Sequence, residues 1–486
     1  MDKGQLTAKK LVENYLDRIE NIDVNGPKLN AIIELNPDAF LIAEELDAER
    51  IEKGKRSLLH GIPIMLKDNI NTADKMMTTA GSLALEGHYP TEDAFIVKNL
   101  REAGAVILGK TNLSEWANFR GKKSISGWSS RGGLTRNPYA LDRSACGSSS
   151  GSAVTVAANL CSVAIGTETD GSVICPSQIN GIVGIKPTIG LVSRSGIIPI
   201  SHSQDTAGPM GRTVSDAAIL LGVMVGEDSE DAVTKGNNAK KFSDYTQFLD
   251  IDGLKGARIG VARNFFGFNK RVDVLMDIAI EKMRDLGAII VDPAIIEHTE
   301  EYEQEEFEIL LYEIKQDMKE YFTRYGPDLQ FRTLKDLIAY NENHKEDIMP
   351  YFGQEYFEIA QEKGPLTDEK YIKAVKKAKR LSGKEGIDTT LEKHQLNAII
   401  APSGGPSWII DLLHGDHYSG GNSSATAVSG YPNITVPLGY IFGLPVGISF
   451  FSTAYEEPML LKFAFSFEQA TKTRKSPQYN KTVEFE

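Results

Sequence analysis

Apolar residues at helical spacing open the chain and predict an amphipathic helix. They begin just after Thr7 and recur every three or four positions, at Leu11, Tyr15, Ile19 and Ile22. Residues 37–53 predict a second helix, with Ala43, Leu46 and Ile51 on one side. These two helices form a predicted N-terminal segment, residues 1–60.

Short apolar runs replace this pattern after residue 60. Residues 61–66 predict a buried strand that ends at Lys67. Further helices are predicted at 95–103, 214–225 and 272–286, and further strands at 105–108, 257–262, 288–291, 397–401 and 433–437. This alternation of strands and helices indicates an α/β architecture.

The remaining segments complete the predicted organisation of the chain. Residues 61–215 form the predicted catalytic core, whose second half is rich in Gly and Ser. Residues 299–380 are charged and helical in pattern, which predicts a helical layer over the core. The sequence has no internal repeat, low-complexity tract or long linker, so we predict a single domain over residues 1–486.

Charge and hydropathy exclude several classes of function. The net charge is -13, and the lysines and arginines are interspersed, which argues against nucleic acid and against an anionic membrane as partners. No apolar run reaches the roughly 18 residues that span a bilayer. The first ten residues lack the apolar segment of a signal peptide. We therefore expect a soluble, cytoplasmic protein, although a trimmed native N-terminus would leave secretion open.

The chain has three cysteines, Cys146, Cys161 and Cys175. An odd and sparse count predicts no disulfide framework and favours a reducing compartment. No Cys/His cluster has the spacing of a zinc site, so the sequence predicts no metal.

Two motifs match by pattern and fail on physical grounds. Residues 104–111 fit the P-loop consensus, but the apolar middle of that run predicts a core strand rather than a loop that wraps a phosphate. Residues 147–151 fit a nucleophile elbow centred on Ser149, but residues 141–146 make a poor preceding strand. Downstream histidines leave a serine triad open by order alone, although His414 and His417 are expected in an exposed loop.

A third set of residues carries coherent chemistry: Lys67, the loop 147–151 and the segment 166–172. A helix is predicted at 153–160 and a strand at 163–166, so two serine-bearing loops flank one short unit. A serine hydroxyl needs a base to become nucleophilic. Lys67 ends an apolar strand, where desolvation disfavours its ammonium form, and Ser–Lys pairs replace histidine in other enzymes.

These residues resemble the amidase-signature family, over most of the chain and most densely from Cys146 to Thr188. The resemblance implies an α/β fold with a large mixed β-sheet core that helices cover on both faces. It also implies a Ser–cis-Ser–Lys triad, in which Lys67 is the base, Ser148 is the cis-serine that relays a proton and Ser172 is the nucleophile.

Further residues are expected around the triad, because the tetrahedral oxyanion needs donors aimed at it. The backbone N–H groups of Thr169, Asp170, Gly171 and Ser172 are the expected oxyanion-hole donors, with the Asp170 carboxylate turned away. By the resemblance, Asn118 and Trp128 belong to the segment that lines the substrate channel, where each is either a substrate contact or a packing residue. Two further residues, Asp205 and Lys186, are expected to have structural roles.

Two departures from the family's usual loops bear on the substrate. Cys146 and Asp170 stand where the family usually has glycine. These variants resemble the branch that contains bacterial peptide amidases, which implies peptide C-terminal carboxamides as preferred substrates and small amides next.

The predicted reaction is attack of Ser172 on a carboxamide, loss of ammonia and hydrolysis of the acyl-enzyme, without cofactor or metal. The expected partner is a peptide or small-molecule amide, and a homodimer is left open. A related alternative is the glutamine-hydrolysing subunit of a tRNA-dependent amidotransferase, which the loop at Asp170 and the continuation 173–176 disfavour. A catalytically silent binding protein of this fold is the third alternative, and the intact triad argues against it.

Overall fold

The computed structural model describes residues 1–236 and 240–485. The strands are β1 (Ile32–Leu35), β2 (Pro63–Lys67), β3 (Val106–Thr111), β4 (Trp128–Ser129), β5 (Gly133–Leu134), β6 (Val163–Glu168), β7 (Val183–Lys186), β8 (Thr206–Gly211), β9 (Arg258–Val261), β10 (Ile289–Val291), β11 (Ala398–Pro402), β12 (Asn433–Ile441) and β13 (Leu444–Phe451). The helices of the first half are α1 (Ala8–Arg18), α2 (Ala39–Lys53), α3 (Phe95–Glu102), α4 (Ser150–Ala157), α5 (Ile174–Ile179) and α6 (Val214–Met224). Those of the second half are α7 (Lys270–Asp285), α8 (Glu303–Tyr325), α9 (Leu334–Asn343), α10 (Lys345–Ile348), α11 (Glu355–Gln361), α12 (Glu369–Lys379), α13 (Thr389–His394), α14 (Ser423–Ser429) and α15 (Glu457–Thr471).

Eleven of these strands form one mixed sheet in the order β1-β3-β2-β6-β8-β7-β12-β13-β11-β9-β10. Strand β2 lies between β3 and β6 and runs parallel to both. Strand β8 is antiparallel to β6 and β7. The carboxyl ends of β2 and β6 therefore meet at the same edge of the sheet, where Lys67 is the last residue of β2.

Helices cover both faces of the sheet, as the alternation of side chains along β2 requires. Ile64 and Leu66 pack into a core that includes residues of α3, α6, α7 and α15. Met65 points the other way, into a core with residues of α1, α2 and α4. The predicted α/β fold with a large mixed sheet between helical layers is confirmed.

The predicted helices in residues 299–380 are present as α8 to α12. The buried side of α8 includes Leu311, Ile314 and Met318, which form an apolar cluster with Trp116 and Phe119. This helical layer thus packs beside the edge of the sheet where Lys67 lies.

That the whole chain forms one domain stays a prediction. Within the described residues, no helix is both long and apolar enough to cross a membrane.

The strand predicted at 105–108 is confirmed as the core strand β3, which extends further than predicted, to Thr111. Its lysine, Lys110, is fully buried and donates to the carbonyl oxygen of Ile70 at 2.7 Å and to Oγ1 of Thr78 at 2.8 Å. Strands β1, β4, β5, β7, β8 and β13 were not predicted. Strand β8 shows why, because it contains two glycines and Pro209, which indicate a loop in isolation.

Candidate active site

Lys67 occupies the end of β2 and is completely buried. Its Nζ lies 2.7 Å from Oγ of Ser148, 2.9 Å from Oγ1 of Thr167 and 3.1 Å from the Thr167 carbonyl oxygen. Burial lowers the pKa of Lys67 to about 7, although the charges of Asp205 and Glu168 act in the opposite direction. A substantial fraction of the amine is therefore neutral at neutral pH, as a base requires.

Ser148 lies in the turn before α4, and the peptide bond between Gly147 and Ser148 is cis. Its carbonyl oxygen accepts a hydrogen bond from the backbone N–H of Ser114 at 3.1 Å. A Cβ atom on Gly147 would lie 2.1 Å from Oγ of Ser114, so a larger residue there would force the Ser114 side chain to shift. Close packing around this turn presents the Ser148 hydroxyl to Lys67.

Ser172 ends the turn that joins β6 to α5. Gly171 has a φ of +75°, a conformation that glycine adopts without strain. The carboxylate of Glu168 accepts the N–H groups of Val173 and Ile174 at 2.7 and 2.9 Å, which fixes the start of α5. The backbone N–H of Ser149 donates to the Ser172 carbonyl oxygen at 3.2 Å. The two serine-bearing turns are thus joined to each other.

The alternative nucleophile, Ser149, is engaged in structural hydrogen bonds. Its Oγ accepts the N–H of Thr167 at 3.1 Å and donates to the Thr167 carbonyl oxygen at 3.0 Å. His414 and His417 are exposed, as expected, and both contact Asp411. A serine–histidine triad centred on Ser149 therefore has no geometric support in these residues.

The two residues expected to have structural roles both have them. The Asp205 carboxylate accepts Oγ1 of Thr169 at 2.6 Å and two backbone N–H groups, those of residues 200 and 201, at 2.8 and 2.9 Å. The amine of Lys186 donates to the carbonyl oxygen of Tyr431 at 2.7 Å.

A cleft of about 570 Å³ opens beside the two turns, and Gly147, Asp170 and Gly171 line it. Asn118 lines it too. Trp128 is not among the lining residues, because it packs in an apolar cluster with Phe352 at a ring-centroid distance of 5.2 Å. The cleft is also lined by residues that the sequence did not predict, Trp408, Tyr418, Ser423 and Ser424. No local signal marks these residues, because they follow the serine turns by more than two hundred positions.

A disulfide bond links the start of the first serine-bearing turn to helix α5 and corrects the prediction from cysteine usage. Cys146 and Cys175 are bonded, with their Cα atoms 6.2 Å apart. Both cysteines line the cleft and pack in one apolar cluster with Trp408. Cys161 is buried and free. The expectation of no disulfide was wrong because an odd count does not reveal which loops fold together. Cysteine usage therefore no longer favours a reducing compartment.

Comparison with known proteins agrees with this geometry. The family model Amidase matches residues 10–461. The probable amidase of Arabidopsis thaliana is 44% identical over 98% of this chain and 90% of its own length. A glutamyl-tRNA(Gln) amidotransferase subunit of Thermoanaerobacter pseudethanolicus is 33% identical, over 98% of this chain and 96% of its own. The crystal structure of native peptide amidase from Stenotrophomonas maltophilia is 50% identical with a TM-score of 0.94, covering 98% and 96% of the two chains. The chain therefore belongs to the amidase family and is an amide hydrolase.

Proposed function

We propose that this amidase converts carboxamides to carboxylate and ammonia through an acyl-enzyme on Ser172, and that peptide C-terminal amides are its preferred substrates. One observation carries the proposal: Nζ of Lys67 lies 2.7 Å from Oγ of Ser148, in a turn that hydrogen-bonds to Ser172. These contacts support Lys67 as the base, Ser148 as the relay and Ser172 as the nucleophile.

The first half of the reaction forms the acyl-enzyme. Neutral Lys67 accepts the proton of the Ser148 hydroxyl as Ser148 accepts that of Ser172, and Oγ of Ser172 attacks the amide carbon. The oxyanion binds backbone N–H groups of the turn 169–172. Within the described residues, the N–H groups of Asp170, Gly171 and Ser172 donate to no other protein atom, so they are free to do so.

The second half returns the proton and releases the acid. The proton held by Lys67 passes through Ser148 to the amide nitrogen, the C–N bond breaks and ammonia leaves. Water then attacks the ester carbon, with the same relay as base, and Ser172 is regenerated. One amide and one water thus give one carboxylate and one ammonia.

Two observations support peptide amides as the substrate class. A peptide amidase in complex with the competitive inhibitor chymostatin is similar to this chain, at 51% identity and a TM-score of 0.95. The cleft beside Ser172, at about 570 Å³, falls within the usual volume range of small-ligand sites. The amidotransferase alternative has less support, because the relative that carries this name is 33% identical and Asp170 departs from the usual glycine.

The deciding assay measures ammonia release from peptide amides, from simple amides and from free glutamine. We expect peptide amides to give the highest kcat/KM and Ser172→Ala to abolish turnover. Ser177→Ala is a matched control on α5, because its Oγ is buried and has no hydrogen-bond partner within the described residues. Undiminished turnover in Ser172→Ala would overturn the nucleophile assignment. Activity on glutamine alone, dependent on partner subunits, would favour the amidotransferase.

The proposal also covers the location of the enzyme in the cell and its assembly. A cytoplasmic enzyme and a homodimer stay predictions. The disulfide between Cys146 and Cys175 weighs against the cytoplasm, because such bonds are typical of oxidising compartments. Cell fractionation and size-exclusion chromatography with light scattering test these two points.

A further inference from the structure

Two carboxyl groups meet beside the turn that carries Ser172. Asp170 lines the cleft two residues before Ser172. Glu306 lies in the first turn of α8 and is 8% exposed. The charge of Asp170 raises the pKa of Glu306, so the two carboxyl groups are close neighbours. Two ionised carboxylates have no proton to share, so a hydrogen bond between these groups requires that one of them be protonated.

The remaining contacts show where that proton lies. Oδ2 of Asp170 accepts the Ser424 hydroxyl at 2.6 Å. Oε1 of Glu306 accepts Nε2 of Gln204 at 2.8 Å. Oδ1 of Asp170 is buried and, within residues 1–236 and 240–485, receives no N–H or O–H donor. A proton on Glu306 supplies the missing donor for Oδ1.

The electrostatic surroundings favour this protonation. Burial and the neighbouring Asp170 raise the pKa of Glu306 well above its usual range. No lysine or arginine of the described residues forms an ion pair with either carboxyl group. The ionisable groups that face the pair are Tyr302 and Glu303 at the start of α8, Tyr418 in the cleft wall, and Glu168 and Lys186 on the sheet. Lys186 is the one cation among them, and the charge of Glu168 acts on it more strongly than that of Asp170.

The same network reaches the backbone of the oxyanion turn. Nε2 of Gln204 lies 3.3 Å from the carbonyl oxygen of Thr169, as well as contacting Glu306. Asp170 itself supplies one of the free N–H groups. Helix α8, the segment before β8 and helix α14 therefore converge on the turn through Glu306, Gln204 and Ser424.

We propose that Glu306 is a positioning residue whose protonated carboxyl group donates a hydrogen bond to Asp170. This bond holds the turn 169–172 in the geometry that binds the oxyanion, and the inference rests on the function proposed above. Loss of this proton would place two like charges in contact. Their repulsion would displace Asp170 and its N–H, and the added negative charge would oppose the oxyanion.

The test is the pH profile of kcat and kcat/KM for the full chain and its variants. Wild type is expected to lose activity on the alkaline side as Glu306 ionises. Glu306→Gln keeps a donor for Asp170 and an acceptor for Gln204 at every pH, so it should retain neutral-pH activity and lack the alkaline limb. Glu306→Ala should lower kcat by about tenfold to a hundredfold with little change in KM, less than the loss of a whole oxyanion donor.

The control variant is Glu468→Gln on α15. Burial raises the pKa of Glu468 to about 7, but this carboxylate accepts the N–H of Val214, and neither residue lines the cleft. Its removal should leave the alkaline limb unchanged. A wild type without an alkaline limb, a Glu306→Gln profile that keeps it, or Glu306→Gln as impaired as Glu306→Ala would each overturn the proposal.

Infrared difference spectroscopy separates this inference from the proposed function. The wild-type minus Glu306→Gln spectrum at neutral pH should contain the C=O band of a protonated carboxyl group, whether or not the protein turns over an amide. Absence of this band overturns the shared proton. Absence of ammonia release from wild type overturns the proposed function instead.

Discussion

Nζ of Lys67 and Oγ of Ser148 lie 2.7 Å apart although 81 positions separate them in sequence. One belongs to the carboxyl end of a central strand and the other to a turn with a cis peptide bond. Both side chains are fully buried. A lysine amine in this setting is costly to keep charged, which suits it to proton transfer and not to a surface ion pair.

Replacement of Lys67 by Met should separate activity from stability. We expect kcat to fall by about a hundredfold to ten-thousandfold, the usual contribution of a general base. The melting temperature should be equal to or above that of wild type, because burial of the amine opposes folding and Met has a similar length. Steady-state assays and thermal unfolding measure the two effects. A large fall in melting temperature would show that Lys67 is chiefly structural.

The pH dependence of kcat/KM should have an acid limb near pH 7. The pKa of Lys67 is lowered to about 7, so protonation below that pH removes the base, and activity rises as pH increases through it. Thr167→Val removes an acceptor that lies 2.9 Å from Nζ and stabilises the ammonium form. The variant's acid limb should therefore move to lower pH. A limb that stays in place in this variant would separate the titration from Lys67.

Reduction of the disulfide between Cys146 and Cys175 should destabilise the fold. The bond closes a loop with a sequence separation of 29, for which roughly 2–4 kcal/mol is the usual contribution to the free energy of unfolding. Urea unfolding with and without a thiol reductant measures this. Cys161→Ala should keep the reductant sensitivity, and Cys146→Ser with Cys175→Ser should lose it. Equal unfolding midpoints for wild type in both conditions would contradict the prediction.

The buried pair of Glu115 and Arg120 should be essential for stability. Both side chains are fully buried and form an ion pair, and Arg120 also donates to the carbonyl oxygen of Ile348 at 2.9 Å. This network joins the turn that carries Asn118 to the helical layer. Arg120→Ala should lower the free energy of unfolding by about 3–5 kcal/mol, because it leaves a buried carboxylate unpaired. Chemical denaturation measures the loss, with exposed Lys373→Ala as control.

Much of the fold and of the candidate site followed from local patterns. The strand before Lys67 could be predicted because a continuous apolar run is buried whichever segments of the chain pack against it. The interpretation of residues 104–111 as a strand was confirmed for the same reason. The resemblance to the family assigned Lys67, Ser148 and Ser172, which the fold brings to one edge of the sheet.

Features made by distant segments could not be predicted. Strand β8 carries glycine and proline, and only its neighbours β6 and β7 hold it in an extended conformation. Sequence left substrate contact and packing open for Trp128, and the structure shows it packed against Phe352, because an aromatic residue suits an apolar cluster as well as a cleft. The cleft wall at Trp408 and the pairing of Cys146 with Cys175 depend on how loops far apart in sequence meet.

The sequence by itself determined the α/β architecture and the order of the chemistry-bearing residue types, because hydrophobic periodicity and loop glycines act over short distances, and the resemblance to the family added the mixed sheet. Only the tertiary structure decided that Lys67 is desolvated, that a disulfide joins the loop before Ser148 to helix α5 and that Glu306 lies beside Asp170. Burial and contact between distant charges set the pKa values and the geometry of the site, and neither can be read from neighbours along the chain.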